Sequence, residues 1–205
     1  MSSTPNWCHC TLIVTGDESS LQAFVEMARI RDDVIRMQWE ERLSPNETDN
    51  YEDFVKEMRE RQPLSFTSFV PEPDYSGEEG ELAPGLPAPD WYVWRAENWG
   101  TKWDASFDGP AGAIVLEDAD VDTSVESQGA TITKCAAFYK FDTAWSPPVP
   151  FVHTTSAQFP TLQFKLRYAE VGNGYAGEGI YQAGAIVEET ELEVEDVLAP
   201  EERWF

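Results

Sequence analysis

Seven consecutive residues, Asn98-Trp99-Gly100-Thr101-Lys102-Trp103-Asp104, constrain the fold of this chain more than any other stretch. They combine two tryptophans with a glycine, a lysine and a carboxylate. Trp91 and Trp94 lie just upstream, so half of the eight tryptophans fall within thirteen positions. A buried indole needs apolar surroundings and a partner for its N–H group. We therefore expect this segment to line the interior of the fold or a binding site.

The composition predicts one folded domain with a sizeable core. The chain has 205 residues, of which 41% are hydrophobic and 13% aromatic, and this is enough to bury one core. No apolar run approaches the roughly 18–20 residues that cross a bilayer, and residues 1–6 lack the basic and apolar regions of a secretory signal. The three cysteines, an odd number, argue against a disulfide framework. We expect a cytoplasmic protein that makes no membrane contact.

The charge of the chain is strongly negative. Its 38 acidic and 14 basic residues give a net charge of -24, which favours solubility and opposes non-specific contact with nucleic-acid phosphates. One interpretation is adaptation to a generally acidic proteome or a salty cytoplasm. The other is a negative surface that competes with DNA for a basic protein.

The chain begins with a pattern typical of a βα unit. Residues 8–15 alternate as a strand does, and Asp17 or Ser19 can cap the helix that follows. Further along, proline, glycine and acidic residues indicate loops and insertions. The remaining expectations are, in chain order, an insertion at 31–62 with a helix at 51–58, a strand at 64–70, a loop at 74–90, a helical turn at 91–96, a short strand at 103–107, an acidic insertion at 108–130 with an edge strand at 114–116, a strand at 131–142, a helix at 151–159, a strand at 162–168, a turn at 172–179, a final strand at 181–187 that ends a single domain at 1–187, and an acidic extension at 188–205.

Several short motifs occur in the order in which the YubB ferredoxin-like family carries them. The heptapeptide at 98–104 resembles that family's signature most closely. The resemblance covers most of the chain, although Cys10, where a polar residue is expected, and the extension beyond Val187 depart from it. It implies a ferredoxin-like α+β fold, an antiparallel sheet with helices on one face, in a phage- or plasmid-encoded protein, and it implies no known activity. The other motifs are Pro5-Asn6-Trp7-Cys8, Phe69-Val70-Pro71-Glu72-Pro73, Phe141-Asp142-Thr143-Ala144-Trp145-Ser146-Pro147-Pro148, Phe159-Pro160, and Tyr168-Ala169-Glu170 with Gly172 and Gly177.

The sequence gives little support for metal binding or cysteine catalysis. On a strand, Cys8 and Cys10 lie on the face opposite His9, whereas a tetrahedral zinc site takes four ligands. Only Cys135 and His153 remain as further ligands. A nucleophilic cysteine needs a nearby base, and nothing in the sequence places His153 beside one. We predict no catalytic residue, no metal and no cofactor.

Two groups of residues are candidates for binding. The members of the first group other than Glu170 either line a pocket or form a structural cluster. Its carboxylates either serve as acid and base or satisfy indole and backbone N–H groups. The second is the sheet face on which Lys165 and Arg167 point away from the core, with Lys140 and His9 as further members if they share that face. Such a face either binds nucleotides by stacking or pairs its cations with acidic neighbours across the strands. The first group consists of Trp99, Lys102, Trp103, Asp104, Trp145 and Glu170.

Two functions remain open from the sequence. The first is a non-catalytic acidic binding protein that inhibits a host defence or nucleic-acid-processing protein by binding its basic surface. The second is a nucleotide- or nucleic-acid-binding module, with or without enzymatic activity, that uses the open sheet face and the tryptophan-rich cluster. We prefer the first because the charge is large and catalytic signals are few. The setting in a mobile element comes from the resemblance and not from chemistry.

Overall fold

The computed structural model describes residues 6–41, 50–75, 90–107, 114–116 and 135–199. Residues 42–49 of the insertion expected at 31–62, most of the loop at 74–90, most of the insertion at 108–130, and residues 200–205 lie outside these ranges. No helix within them is long and apolar enough to cross a bilayer. The elements are β1 (Trp7–Gly16), α1 (Glu18–Ala28), α2 (Asp32–Glu41), α3 (Tyr51–Arg61), a 3₁₀ turn (Phe66–Ser68), α4 (Asp90–Asn98), β2 (Ile114–Leu116), β3 (Cys135–Ala144), α5 (Val149–Gln158), β4 (Gln163–Glu170), β5 (Tyr175–Gln182), β6 (Ala185–Leu192) and α6 (Val194–Val197).

The strands form one sheet in the order β2-β3-β1-β4-β5-β6. Every neighbouring pair is antiparallel. β1 lies between β3 and β4, so the connection from β1 to β2 passes over β3, and the connection from β3 through α5 to β4 passes over β1. This βαββαβ arrangement is ferredoxin-like, as expected, and the hairpin of β5 and β6 extends the sheet beyond β4.

The sheet has a buried face and an open face. Along β1, residues 8, 10, 12 and 14 are buried, whereas the residues between them are partly exposed. Helices α1 and α5 cover the buried face, where Phe24 of α1 and Phe151 of α5 belong to the main core. We call the face opposite these two helices the open face. Four aromatic rings pack around Phe24 with centroid distances of 5.2 to 6.0 Å, namely those of Phe69, Tyr139, Phe159 and Phe164.

The last helix packs on the open face, on the other side of the sheet from α1 and α5. Leu198, which follows α6 and is 5% exposed, packs with Ala169 of β4 and Ala176 of β5. The guanidinium of Arg167 donates a hydrogen bond of 2.6 Å to the carbonyl oxygen of Asp196. The folded structure therefore continues through β6 and α6, beyond the position 187 at which the sequence placed the start of an extension.

The strand expected at 64–70 is absent, and that prediction was wrong. The segment instead makes a 3₁₀ turn. The carboxylate of Asp104 accepts hydrogen bonds from the Ser65 hydroxyl at 2.7 Å and from the Phe66 N–H at 2.6 Å. These two bonds hold the turn closed, and the second uses a backbone N–H that strand pairing would need.

Two further strand predictions are corrected. The strand expected at 103–107 is reduced to one isolated bridge between Ser106 and Asp142. The strand expected at 181–187 is in fact two strands, β5 and β6, joined by Ala183 and Gly184. Both residues have positive φ, 51° and 73°, as a two-residue turn that matches the twist of a hairpin requires.

Candidate functional site

The side-chain ammonium of Lys102 lies among three indole rings. Its Nζ is 4.7 Å from the ring centroid of Trp103, 5.3 Å from that of Trp145 and 5.9 Å from that of Trp91. Trp103 and Trp145 also stack on each other, with centroids 6.1 Å apart. Cations attract ring faces within about 6 Å. We call Trp91, Trp103 and Trp145 the tryptophan cage, and its cation is supplied by the protein itself.

The backbone at Trp145 adopts a left-handed conformation that bulky residues rarely take. Its φ is 66°. Its N–H donates to the carbonyl oxygen of Asn6 at 2.8 Å, and its own carbonyl oxygen accepts the Tyr175 hydroxyl at 2.6 Å. Such strain persists where the surroundings fix it, and it concentrates at functional positions. These contacts direct the indole of Trp145 toward Lys102.

The heptapeptide at 98–104 runs from the interior to the surface. Trp99 is 1% exposed, and its indole N–H donates to the carbonyl oxygen of Val70 at 2.9 Å. Trp103 is 36% exposed and also contacts Trp7, with centroids 6.0 Å apart. Trp99 is therefore a core residue, whereas Trp103 belongs to a surface cluster that Trp7 joins.

Arg95 connects the two parts of this cluster. Its guanidinium lies 5.1 Å from the ring centroid of Trp91 and 5.3 Å from that of Trp99. It also makes a bidentate pair with Glu72, at 2.9 and 2.8 Å. Sequence reasoning did not select Arg95 as a site residue. The signal was present, because residues four apart on a helix share a face, and Arg95 stands four residues from each indole.

Two of the motif carboxylates, Asp104 and Glu170, hold turns. Asp104 fastens the 3₁₀ turn, and burial raises its pKa, although the hydrogen bonds donated to it act in the opposite direction. Glu170 is fully buried and accepts hydrogen bonds from the Gly172 N–H at 2.6 Å, and from the N–H and side-chain amide of Asn173 at 2.8 and 2.6 Å. The oxygens of both carboxylates therefore accept hydrogen bonds from other groups of the protein.

The predicted basic residues do share the open face. Strand register places Thr11 between Lys140 on β3 and Arg167 on β4, with His9 and Lys165 on the same side. This face also carries acid. The Lys165 ammonium lies 2.9 Å from the Glu178 carboxylate, which is 3.7 Å from Arg167 Nε.

A second pair on this face joins neighbouring strands. The imidazole Nδ1 of His9 lies 2.7 Å from the carboxylate of Asp142.

Sequence reasoning missed Glu178 because it read 172–179 as a turn, whereas β5 already pairs with β4 from Tyr175 onward.

Both cysteines of Cys8-His9-Cys10 are buried, on the face opposite His9, as the alternation predicts. Burial raises the pKa of the Cys10 thiol well above its ordinary value, which is the opposite of what a nucleophile needs. Within the described ranges, no three His, Cys, Asp or Glu side chains are grouped to hold a metal ion.

The outermost strand, β6, has an acidic and partly apolar surface. Glu188, Glu189 and Glu191 are exposed, and none of them has an ion-pair partner in the described part of the chain. Ile186 and Val187, at the start of the same strand, are 51% and 60% exposed. We call the side of β6 that faces away from β5 the acidic edge.

One comparison, with protein families, agrees with the fold. Residues 123–203 match the family model described as the ferredoxin-like domain in Api92-like protein, and together with the strand order this match defines a ferredoxin-like α+β protein. The crystal structure of a protein api92 from Yersinia pseudotuberculosis is similar at 11% identity and a TM-score of 0.43, over 92% of this chain and 98% of that chain. No curated protein matches this chain.

Proposed function

We propose that this protein is a non-catalytic binding protein whose acidic surface recognises a basic surface of another protein. One contrast carries the proposal. The open-face cations Lys165 and Arg167 share a carboxylate of their own chain, whereas the carboxylates of the acidic edge have no ion-pair partner among the described residues. The charged groups that a partner can contact on the acidic edge are therefore negative. The net charge of -24 also gives the molecule as a whole a negative electrostatic potential.

The resemblance to the YubB family supports a finer form of this proposal. In that form a phage or plasmid encodes the protein, which acts in the cytoplasm of the bacterial host. Its partner is a host defence protein or a nucleic-acid-processing protein. Such partners bind phosphates through Lys and Arg side chains, so an acidic surface competes for the same residues.

The test is affinity capture from a bacterial lysate followed by mass spectrometry. We expect a partner with a basic surface that is released as salt is raised, since screening weakens contacts between exposed charges. The informative variant is the triple substitution Glu188→Gln, Glu189→Gln and Glu191→Gln, which should lose the partner.

A matched control separates local from overall charge. The triple substitution Glu40→Gln, Glu41→Gln and Glu60→Gln changes the net charge equally at exposed positions on α2 and α3 and should retain the partner. Equal loss of the partner in both variants would show that binding depends on the overall charge and not on the acidic edge. Recovery of no partner even at low salt would reject the proposal.

The second candidate is a nucleotide- or nucleic-acid-binding module on the open face. It is favoured by the alignment of Lys140 and Arg167 on either side of Thr11. Binding of a fluorescent single-stranded oligothymidine at low salt tests it. The acidic-binding proposal predicts no binding by the wild type. Binding by the wild type that strengthens in Glu178→Gln would favour this second candidate.

A further inference from the structure

The acidic edge is the side of a strand, so it offers backbone as well as charge. Within the described ranges β6 has a neighbour, β5, on one side only. The alternate N–H and C=O groups on the other side are not used by the ladder, and an edge of this kind can pair with an additional strand. The register with β5 is interrupted between Ile180 and Tyr181, which leaves 188–192 as the regular stretch.

The side chains on this stretch limit which strand can be added. The register sets Glu189 and Glu191 opposite Gly179 and Gly177 on one face, while Glu188 lies on the other. The hydroxyls of Tyr168 and Tyr181 take the space over these glycines, but Glu189 and Glu191 remain exposed. Negative charge therefore flanks the edge on both faces, and the exposed Ile186 and Val187 stand beside it.

This charge pattern opposes pairing between two copies of the chain. An edge-to-edge dimer would bring the glutamates of two β6 strands together, and like charges across strands are destabilising. Charged edges are a common protection against self-association. The same carboxylates attract a positively charged strand. The edge therefore opposes pairing with a second copy of this chain but allows pairing with a basic strand of another protein.

We propose that the acidic edge binds an extended, basic segment of a partner protein, which adds to the sheet as a seventh strand beside β6. Lysine or arginine side chains of that segment lie next to Glu188, Glu189 and Glu191, and an apolar residue lies against Ile186 and Val187. This inference rests on the proposed function and specifies how the partner is held.

The experiment uses the full chain and a synthetic peptide, acetyl-Lys-Val-Lys-Thr-Lys-Val-Lys-amide. Binding is measured at low salt by fluorescence anisotropy, and amide hydrogen exchange is followed in β6. Strand addition should protect alternate amides between 188 and 192. Two N-methylated peptides, one methylated at odd and one at even positions, have the same charge, but only one of them loses its pairing N–H groups. We expect that peptide to bind at least about tenfold more weakly, because several backbone hydrogen bonds are lost.

The outcomes separate this inference from the proposed function. Weaker binding by the Glu188→Gln, Glu189→Gln, Glu191→Gln variant, with unchanged binding by the Glu40→Gln, Glu41→Gln, Glu60→Gln control, supports the site. Equal binding by both methylated peptides, or protection outside β6, overturns strand addition while leaving acidic recognition in place. Absence of peptide binding also overturns it, and the capture experiment then decides the proposed function independently.

Discussion

Lys102 occupies the position between indole rings in which a ligand cation would be held. Contacts of its ammonium with three rings contribute roughly 0.5 to 2 kcal/mol, depending on how far water is excluded. Because a side chain of the protein itself fills the tryptophan cage, the cluster contributes to packing. This arrangement explains why a lysine stands between the tryptophans of the heptapeptide at 98–104.

Removing that cation should destabilise the fold. We expect Lys102→Ala to lower the free energy of unfolding by about 1–2 kcal/mol, since it loses both the charge and the stem that packs on the rings. Lys102→Arg should restore most of the stability, because a guanidinium also stacks on indoles. Urea unfolding measures both, with the exposed Lys56→Ala as a position control that should change stability by less than about 0.5 kcal/mol. Equal losses in the alanine and arginine variants would contradict a cation–π role.

Tyr181 gives a prediction for alkaline pH. Burial, followed by the nearby Glu189, raises its pKa from 10.0 to about 12. The unfolded chain therefore ionises this phenol first, and its contribution to stability is complete below pH 10.0 and is lost as the pH rises toward about 12. The difference in unfolding free energy between wild type and Tyr181→Phe should be constant up to pH 10.0 and then move in favour of the variant. Urea unfolding at each pH tests this, and a constant difference throughout would contradict it.

At the scale of elements, two carboxylates that do not cap helices hold turns closed. Glu170 closes the connection from β4 to β5, as Asp104 closes the 3₁₀ turn. The β4–β5 connection precedes the hairpin that carries the acidic edge. Its geometry therefore helps to set where β6 lies.

Replacing Glu170 with alanine should weaken this connection. We expect Glu170→Ala to cost about 2 kcal/mol in unfolding free energy, because the Gly172 and Asn173 donors lose their acceptor. Chemical denaturation is the measurement, and the exposed Glu97→Ala should change it by less than about 0.5 kcal/mol. A variant of unchanged stability that lost binding of a small ligand would instead indicate a pocket residue.

The elements that sequence predicted best are those whose pattern is local. The alternation at 162–168 corresponds to β4, the apolar residues at 114–116 to the edge strand β2, and the aromatic-rich stretch at 91–96 to part of α4. The stretch at 64–70 was predicted wrongly because its conformation depends on Asp104, which is distant in sequence. Gly177 and Gly179 were read as a turn, but a Cβ at either one would lie 2.6 Å from a tyrosine hydroxyl, Tyr168 or Tyr181. Glycine there makes room for tyrosine packing within a strand.

The candidate site was predictable in part, because some of its features also follow from local sequence patterns. Convergence of Trp103 and Trp145 followed from the density of tryptophan in the motifs, and the shared face of Lys165 and Arg167 followed from strand alternation. Their carboxylate neighbour Glu178 depends on the pairing of β4 with β5. Pairing register is a tertiary property that one strand's pattern does not encode.

At the scale of the whole molecule, the net charge of -24 sets a general cost to folding. Acidic side chains are brought closer together in the folded state than in the unfolded chain, so their mutual repulsion opposes the compact state. The surface ion pairs offset little of this, because exposed pairs contribute about 0–1 kcal/mol each. Retaining so much uncompensated charge is consistent with a surface that is neutralised when a basic partner binds.

Screening this repulsion should stabilise the protein. We expect the melting temperature to rise with sodium chloride, most steeply up to about 0.15 M, where the Debye length has fallen to about 8 Å. Scanning calorimetry over a salt series measures it. The Glu188→Gln, Glu189→Gln, Glu191→Gln variant and its control on α2 and α3 should both show a smaller rise, because each removes the same amount of negative charge. A rise that continues in proportion to salt well beyond this range would point to a general solvation effect, and a melting temperature that falls or stays constant would show that the negative charges of the folded state are already compensated.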